Sequence, residues 1–203
     1  AHLGTHSVWF ATLCASTHVH AFEPVGCYAA VVRRNVIANG VEGKVTVHQT
    51  GLGAEPGEAS NFMSVEHQIG FVDAASRRGV VEKFTVRRLD DVVEGPVGVI
   101  KLDVEGMEAE VLRGAARILA EHRPLVFAEA QSVAAARIIA QQLAPFGYRP
   151  TARVFNASPT YEYSTSPVTA WSRFRASRAG LDPVLRSVRR VGARHVRRFV
   201  TAA

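Results

Sequence analysis

The 203-residue chain is 47% hydrophobic and carries a formal charge of +6 and only two cysteines, enough apolar sequence for one core of ordinary size without disulfide or metal staples. Cys14 and Cys27 have no CxxC or CxxH neighbour, no apolar run approaches the roughly 18 residues of a membrane span, and no signal peptide opens the chain. These features exclude a disulfide scaffold and an integral membrane helix, and they predict a reduced, cytoplasmic protein. The charge is uneven: Val168 to Ala203 holds nine arginines against one acid, Asp182, a net +8 that leaves the remainder at −2. Any polyanion contact therefore belongs to the tail and not to the body.

Helical and strand patterns alternate along the chain, the signature of a mostly parallel sheet with crossover helices. Val8 to Ala15 reads as a helix, His18 to Phe22 as a strand ending at Glu23 and Pro24, and Tyr28 to Asn39 as a helix stopped by Gly40. Lys44 to Gln49 alternates as a strand. From Gly51 to Gly79 the periodicity is lost, and that segment is placed to cover a site. Phe84 to Leu89 is a short strand before the turn or cap residues Asp90 and Asp91. Val99, Ile100 and Leu102 form a strand covered on both faces, followed by a helix from Glu108 to Glu121. Pro124 to Ala128 is the next strand, Ser132 to Phe146 a helix closed by Gly147, and Tyr148 to Phe155 with Thr160 to Thr165 a closing strand pair.

The tail from Asp182 onward carries a stripe at helical spacing (Val184, Leu185, Val188, Val191, His195, Val196, Phe199, Val200) with arginines on the other faces, and is expected to be a basic amphipathic helix. Its default role is to pack on its own domain. An anionic membrane surface or an acidic partner comes second, and nucleic acid third, because no aromatic residues interleave with the arginines. The predicted organisation is a domain over 1–167 and a tail over 168–203.

Carboxylates gather where strands end. Asp103 and Glu105 follow the Val99 strand, Glu129 follows the next, and ligands in open α/β sheets collect beyond such ends. Upstream, Ala1 to Ser7 reads as the second half of a glycine loop with Gly4 as its last glycine, so the strand expected to lead into it is absent and the sheet is expected to lack a member. Glu23 ends the next strand about 20 residues later, the interval at which nucleotide folds place an acid on ribose hydroxyls. Each feature also has a plain reading: Gly4 as turn chemistry, Glu23 as a solvated or capping acid, Asp103 as a helix cap, and Glu108 and Glu110 as acids in a first helical turn. Trp9 and Phe10 fit a core better than a cofactor site.

His20 to Pro24, the paired Asn35 and Asn39, Gly51 to Gly53, Arg87 to Asp91 and above all Ile100 to Ala115 (IKLDVEGMEAEVLRGA) together resemble the FkbM family of S-adenosylmethionine-dependent methyltransferases, from Ala1 to about Glu129. The resemblance implies a Rossmann-like class I methyltransferase fold, a seven-stranded, mostly parallel α/β sheet with an antiparallel last strand and helices on both faces. It implies O-methylation of a hydroxyl on a small-molecule natural product, sugar or glycolipid. Carried over by position, Gly4, Glu23, Leu52 and Asp103 would hold S-adenosylmethionine, with Leu52 near the adenine.

Removal of a hydroxyl proton calls for a base within hydrogen-bond reach. Asp103 and Glu105 are the first candidates; Glu129, His2, His6 and His67 are alternatives. Carboxylates at one strand end also admit Mg²⁺, although ligation needs a convergence that sequence does not display. Two other classes share parts of the pattern: a nicotinamide-dependent oxidoreductase, which leaves the Asp103 to Gly106 segment unexplained, and a noncatalytic binding module that keeps the fold. Base methylation of nucleic acid fits poorly, because Asp103-Val104-Glu105 is not the Pro-Pro-aromatic strand end that grips a flipped base.

Overall fold

The computed structural model describes residues 1–14, 16–63, 80–155, 159–166 and 198–202. Its main sheet has seven strands: β1 (His18–Phe22), β2 (Val45–His48), β6 (Val99–Leu102), β7 (Leu125–Glu129), β8 (Arg149–Phe155), β9 (Thr160–Ser164) and β10 (Arg198–Ala202), in the spatial order β2-β1-β10-β6-β7-β9-β8. The first five in that order run parallel, and β9 runs antiparallel to both β7 and β8. Helices α1 (Thr5–Leu13), α2 (Gly26–Ala38), α3 (Leu89–Val92), α4 (Glu108–Arg113), α5 (Ala116–Glu121) and α6 (Val133–Leu143) connect them. This is the Rossmann-like α/β architecture expected from the alternation of patterns.

The central strand comes from an unexpected place. A strand was expected to be absent, yet the slot between β1 and β6 is filled by β10, from the arginine-rich tail. Residues 198–202 are therefore strand and not the end of an amphipathic helix, and they belong to the sheet of the domain. The reason is burial: Val200, Thr201 and Ala202 are all buried, and a short β-branched run between two open parallel edges satisfies its backbone groups on both sides. Helical spacing of valines over the preceding residues conceals this, because a strand this short carries little periodicity of its own. The expected helix over residues 182–197 lies outside the described residues.

A second, three-stranded sheet, β3-β5-β4, lies apart from the first, built from β3 (Gly51–Leu52), β4 (Gly57–Met63) and β5 (Val80–Arg87). The loss of periodicity after Gly51 was thus only partly a loss of structure. Over β5 each face is at least partly exposed from Glu82 on, so no buried stripe marks it. The expected helix from Glu108 to Glu121 is two helices, broken at Gly114. A β-carbon there would lie 2.0 Å from the Gly53 carbonyl oxygen, the Gly114 carbonyl accepts from Asp90 N (3.0 Å), and the Asp90 carboxylate accepts from Arg117 N (2.7 Å) and Ile118 N (3.0 Å). Asp90 caps α5 across 27 residues of sequence.

Two apolar layers flank the sheet. Phe10, Ala11, Val19, Ala21, Val32, Val36 and Val99 pack α1 and α2 on one face. Phe22, Ile100, Leu102, Leu112, Leu119, Ile139 and Val200 pack the helices after β6 and β7 on the other. Phe10 is core, as expected.

Candidate active site

Helices α1 and α2, next to β1 and β2, pack in one apolar layer and the helices after β6 and β7 in the other, so the covered face changes between β1 and β6, the kind of switch point at which open α/β sheets bind ligands. A cavity of about 290 Å³ opens there, lined by Ala1, His2, Leu3, Thr5, His6, Lys101, Asp103, Thr201 and Ala202. It lies near the lower end of the roughly 300–1,000 Å³ range of small-molecule sites.

One wall is the loop before α1. Gly4 adopts φ +78°, and a β-carbon on it would stand 2.9 Å from Val32 Cγ1, so both conformation and helix packing demand glycine. The plain reading of Gly4 as turn and packing is sufficient for its place in the fold; its neighbours on both sides line the cavity. Two side chains tether the loop. Asn35 Nδ2 donates to the Leu3 carbonyl (2.7 Å), and the Glu23 carboxylate accepts from His2 N (2.6 Å), Val25 N (3.0 Å) and the Ala1 nitrogen (3.1 Å). Glu23 is buried beneath this loop. The resemblance quoted Asn35 only as part of a pattern; its tethering role is visible only in three dimensions.

The opposite wall is the carboxyl end of β6 beside β10. Parallel register sets Thr201 beside Lys101, and Thr201 Oγ1 hydrogen-bonds Ser7 Oγ of α1 at 2.8 Å, both buried. Lys101 and Asp103, two residues apart, face the same side. The Lys101 side chain is 9% exposed and its Nζ donates to Asp103 Oδ2 at 3.0 Å. Burial raises the Asp103 carboxyl, but a hydrogen bond with Glu129, the Lys101 ammonium and the nearby His6 outweigh it and hold the group below its ordinary value.

Among the residues singled out by sequence, the cavity wall brings together Asp103, His2 and His6. Glu105 stands just beyond it with φ +51°, a left-handed conformation uncommon outside glycine, and its Oε2 accepts from Gln131 Nε2 at 2.7 Å, bridging the loops after β6 and β7. Glu108 is buried and accepts from Val104 N and Gly106 N, a structural clamp on that loop. Leu52 packs in the core with Leu89 and is not on the cavity wall. His67 lies outside the described residues. No group of three or more metal-ligating side chains converges among the described residues.

Residues 1–150 match the sequence model described as the methyltransferase FkbM domain. The chain belongs to the FkbM methyltransferase family. A solved FkbM methyltransferase from Methylobacillus flagellatus superposes on this FkbM domain with a TM-score of 0.55 at 20% identity, covering 73% of this chain and 36% of that one. A protein of the NADB-Rossmann superfamily from Streptococcus agalactiae does so with a TM-score of 0.50 at 13% identity, covering 86% of this chain and 64% of that one. At such identities the likeness is one of fold. The FkbM domain described here spans about a third of the first protein's length and just under two thirds of the second's. No curated protein matches the sequence. No helix among the described residues is long and apolar enough to cross a membrane.

Proposed function

We propose that the protein is an S-adenosylmethionine-dependent methyltransferase acting on a hydroxyl oxygen of a small molecule, sugar or glycolipid. The observation that carries this reading is the cavity at the sheet's switch point with an ionised Asp103 on its wall, in a chain of the FkbM family. When bound, S-adenosylmethionine supplies an electrophilic methyl carbon next to a positively charged sulfur. The donor set fits such a cationic, zwitterionic ligand: Asp103 offers negative charge, and Lys101 and the amino end of α1 offer positive charge. Glu23, the acid that the resemblance assigns to the ribose hydroxyls, is not on the cavity wall: its buried carboxylate accepts from the Ala1 nitrogen, His2 N and Val25 N and holds the loop that forms that wall.

Within that scheme Asp103 acts electrostatically, because a carboxyl held below its ordinary value is a poor proton acceptor. His6 takes the acceptor's proton: it is on the cavity wall, close enough to Asp103 for the two charges to interact, and the Asp103 carboxylate stabilises the imidazolium that forms. Glu105, at the outer edge, orients the acceptor and not the cofactor.

Calorimetric titration with S-adenosylhomocysteine, with NADH as comparison, tests the reading. Micromolar binding of S-adenosylhomocysteine alone supports it. Binding of NADH alone replaces it with a nicotinamide enzyme, and binding of neither by protein shown to be folded replaces it with a noncatalytic module.

A further inference from the structure

We infer that His20 and His48 form an acid-sensitive clasp between β1 and β2, which closes over one shared proton and opens when a second enters, freeing the sheet edge at which Glu23 leaves β1. His20 Nδ1 and His48 Nε2 lie 3.0 Å apart. The ring planes differ by 18° and the centroids are 5.3 Å apart, so the rings meet edge to edge with these two nitrogens facing each other. Such a bond holds one proton. With one positive charge on the pair the facing nitrogens still divide into a donor and an acceptor; with two charges both carry a proton, and the contact becomes a repulsion.

The clasp stands where the sheet is easiest to open. Among the described residues β2 is an edge strand held by β1 alone. Its register pairs Thr46 with His20 and His48 with Phe22, so the histidine bond braces the two strands diagonally. His48 also stacks on Phe22, with centroids 4.5 Å apart, and its carbonyl accepts from Glu23 N at 3.0 Å. The Glu23 carboxylate in turn holds the loop before α1. The groups facing the pair disfavour a second charge. His20 is buried, and burial, Arg87 of β5 and His18 of β1 hold the His48 imidazole below its ordinary value. From the other side β10 brings only the apolar Val200 beside His20. His18 differs, because its Nε2 meets the Thr46 hydroxyl at 2.8 Å, a group that donates or accepts and so tolerates either protonation state.

The inference stands on these histidines and not on the cofactor reading, and its test needs no ligand. Chemical denaturation of wild type, His48→Gln and His18→Gln is followed from about pH 8 to about pH 5, across the histidine range. Glutamine donates and accepts without titrating. Unfolded, the pair takes two protons in that range; folded, it takes at most one. Below the range the folding equilibrium constant of wild type is therefore expected to fall more steeply than that of His48→Gln, by about tenfold per pH unit, while His18→Gln keeps the wild-type slope. Equal slopes for wild type and His48→Gln overturn the clasp. Amide exchange locates the opening: protection of the Glu23 N–H is expected to fall over the same window in wild type and to persist in His48→Gln, and an equal loss in both also overturns it. Should His48→Gln fail to fold, ring NMR of the wild type decides. A pair that takes a single proton near the ordinary histidine value of about 6.5 upholds the inference, and two separate titrations there overturn it.

Discussion

The central position of β10 makes the end of the chain a stability element, and Val200→Ala measures it. Val200 is fully buried, pairs His20 on β1 and Ile100 on β6, and packs in the same layer as Phe22 and Leu102. The substitution removes two buried methyl groups at roughly 0.8 kcal/mol each, and incomplete collapse of the site adds to that, so the loss is about 2–3 kcal/mol. For a domain of this size each kcal/mol moves the melting midpoint by roughly 2–4 °C. Urea titration with an unchanged slope provides the free energy directly. Val133→Ala is the control, because Val133 is 66% exposed at the start of α6, and its effect is expected within about 0.5 kcal/mol. A Val200→Ala loss no larger than the control's refutes the placement of residues 198–202 at the centre of the sheet.

Gly4→Ala is expected to cost about 1–2 kcal/mol, from positive φ and from the 2.9 Å approach to Val32 Cγ1. Pairing it with Val32→Ala in a thermal-melt double-mutant cycle returns only the steric share. Glu105→Gly is expected to be more stable than Glu105→Ala by about 1 kcal/mol, since glycine accepts φ +51° and alanine does not; equal melting midpoints count against that backbone. Asp103, whose carboxyl lies below its ordinary value when folded, contributes stability that is present above the ordinary carboxylate range and is lost as pH falls through its folded value. Acid unfolding of Asp103→Asn is therefore expected to depend less on pH in that window than that of wild type, and parallel curves contradict the ion pair with Lys101.

The strands that the sequence reveals most clearly are those whose neighbours cover both faces: β6 and β7 are short, mostly apolar runs closed by acids, and β1, with two histidines, ends at Glu23 and Pro24. The antiparallel pair of β8 and β9 is visible for another reason, two runs with β-branched and aromatic residues after the turn at Gly147. What escapes is whatever depends on distant partners. β10 is five residues long, and nothing in its own pattern says that two open edges await it. The break at Gly114 follows from contact with Gly53 and capping by Asp90, neither of which is near it in sequence. For the site, Asp103 is legible because acids at strand ends are a recurrent feature of ligand crevices. Lys101 carries a signal that periodicity discards: a lysine inside an otherwise apolar strand needs a partner, and an acid two residues on lies on the same side.

That signal also explains why the site sits where it does. The sheet is apolar along most of its length, but one row across it passes from Ala21 through Thr201 and Lys101 to Phe127, and its two polar members lie next to each other beneath the start of α1. Thr201 is satisfied by Ser7 and Lys101 by Asp103. Replacing the whole set with apolar residues would spare the fold the expense of desolvating an ammonium and a carboxylate, often without loss of stability. An arrangement costly to fold but open to a cavity is accounted for by what it binds. Lys101→Met alone, which leaves Asp103 without its partner, is thus expected to lower stability, whereas Lys101→Met combined with Asp103→Leu removes both charges and is expected to leave chemical denaturation unchanged or improved.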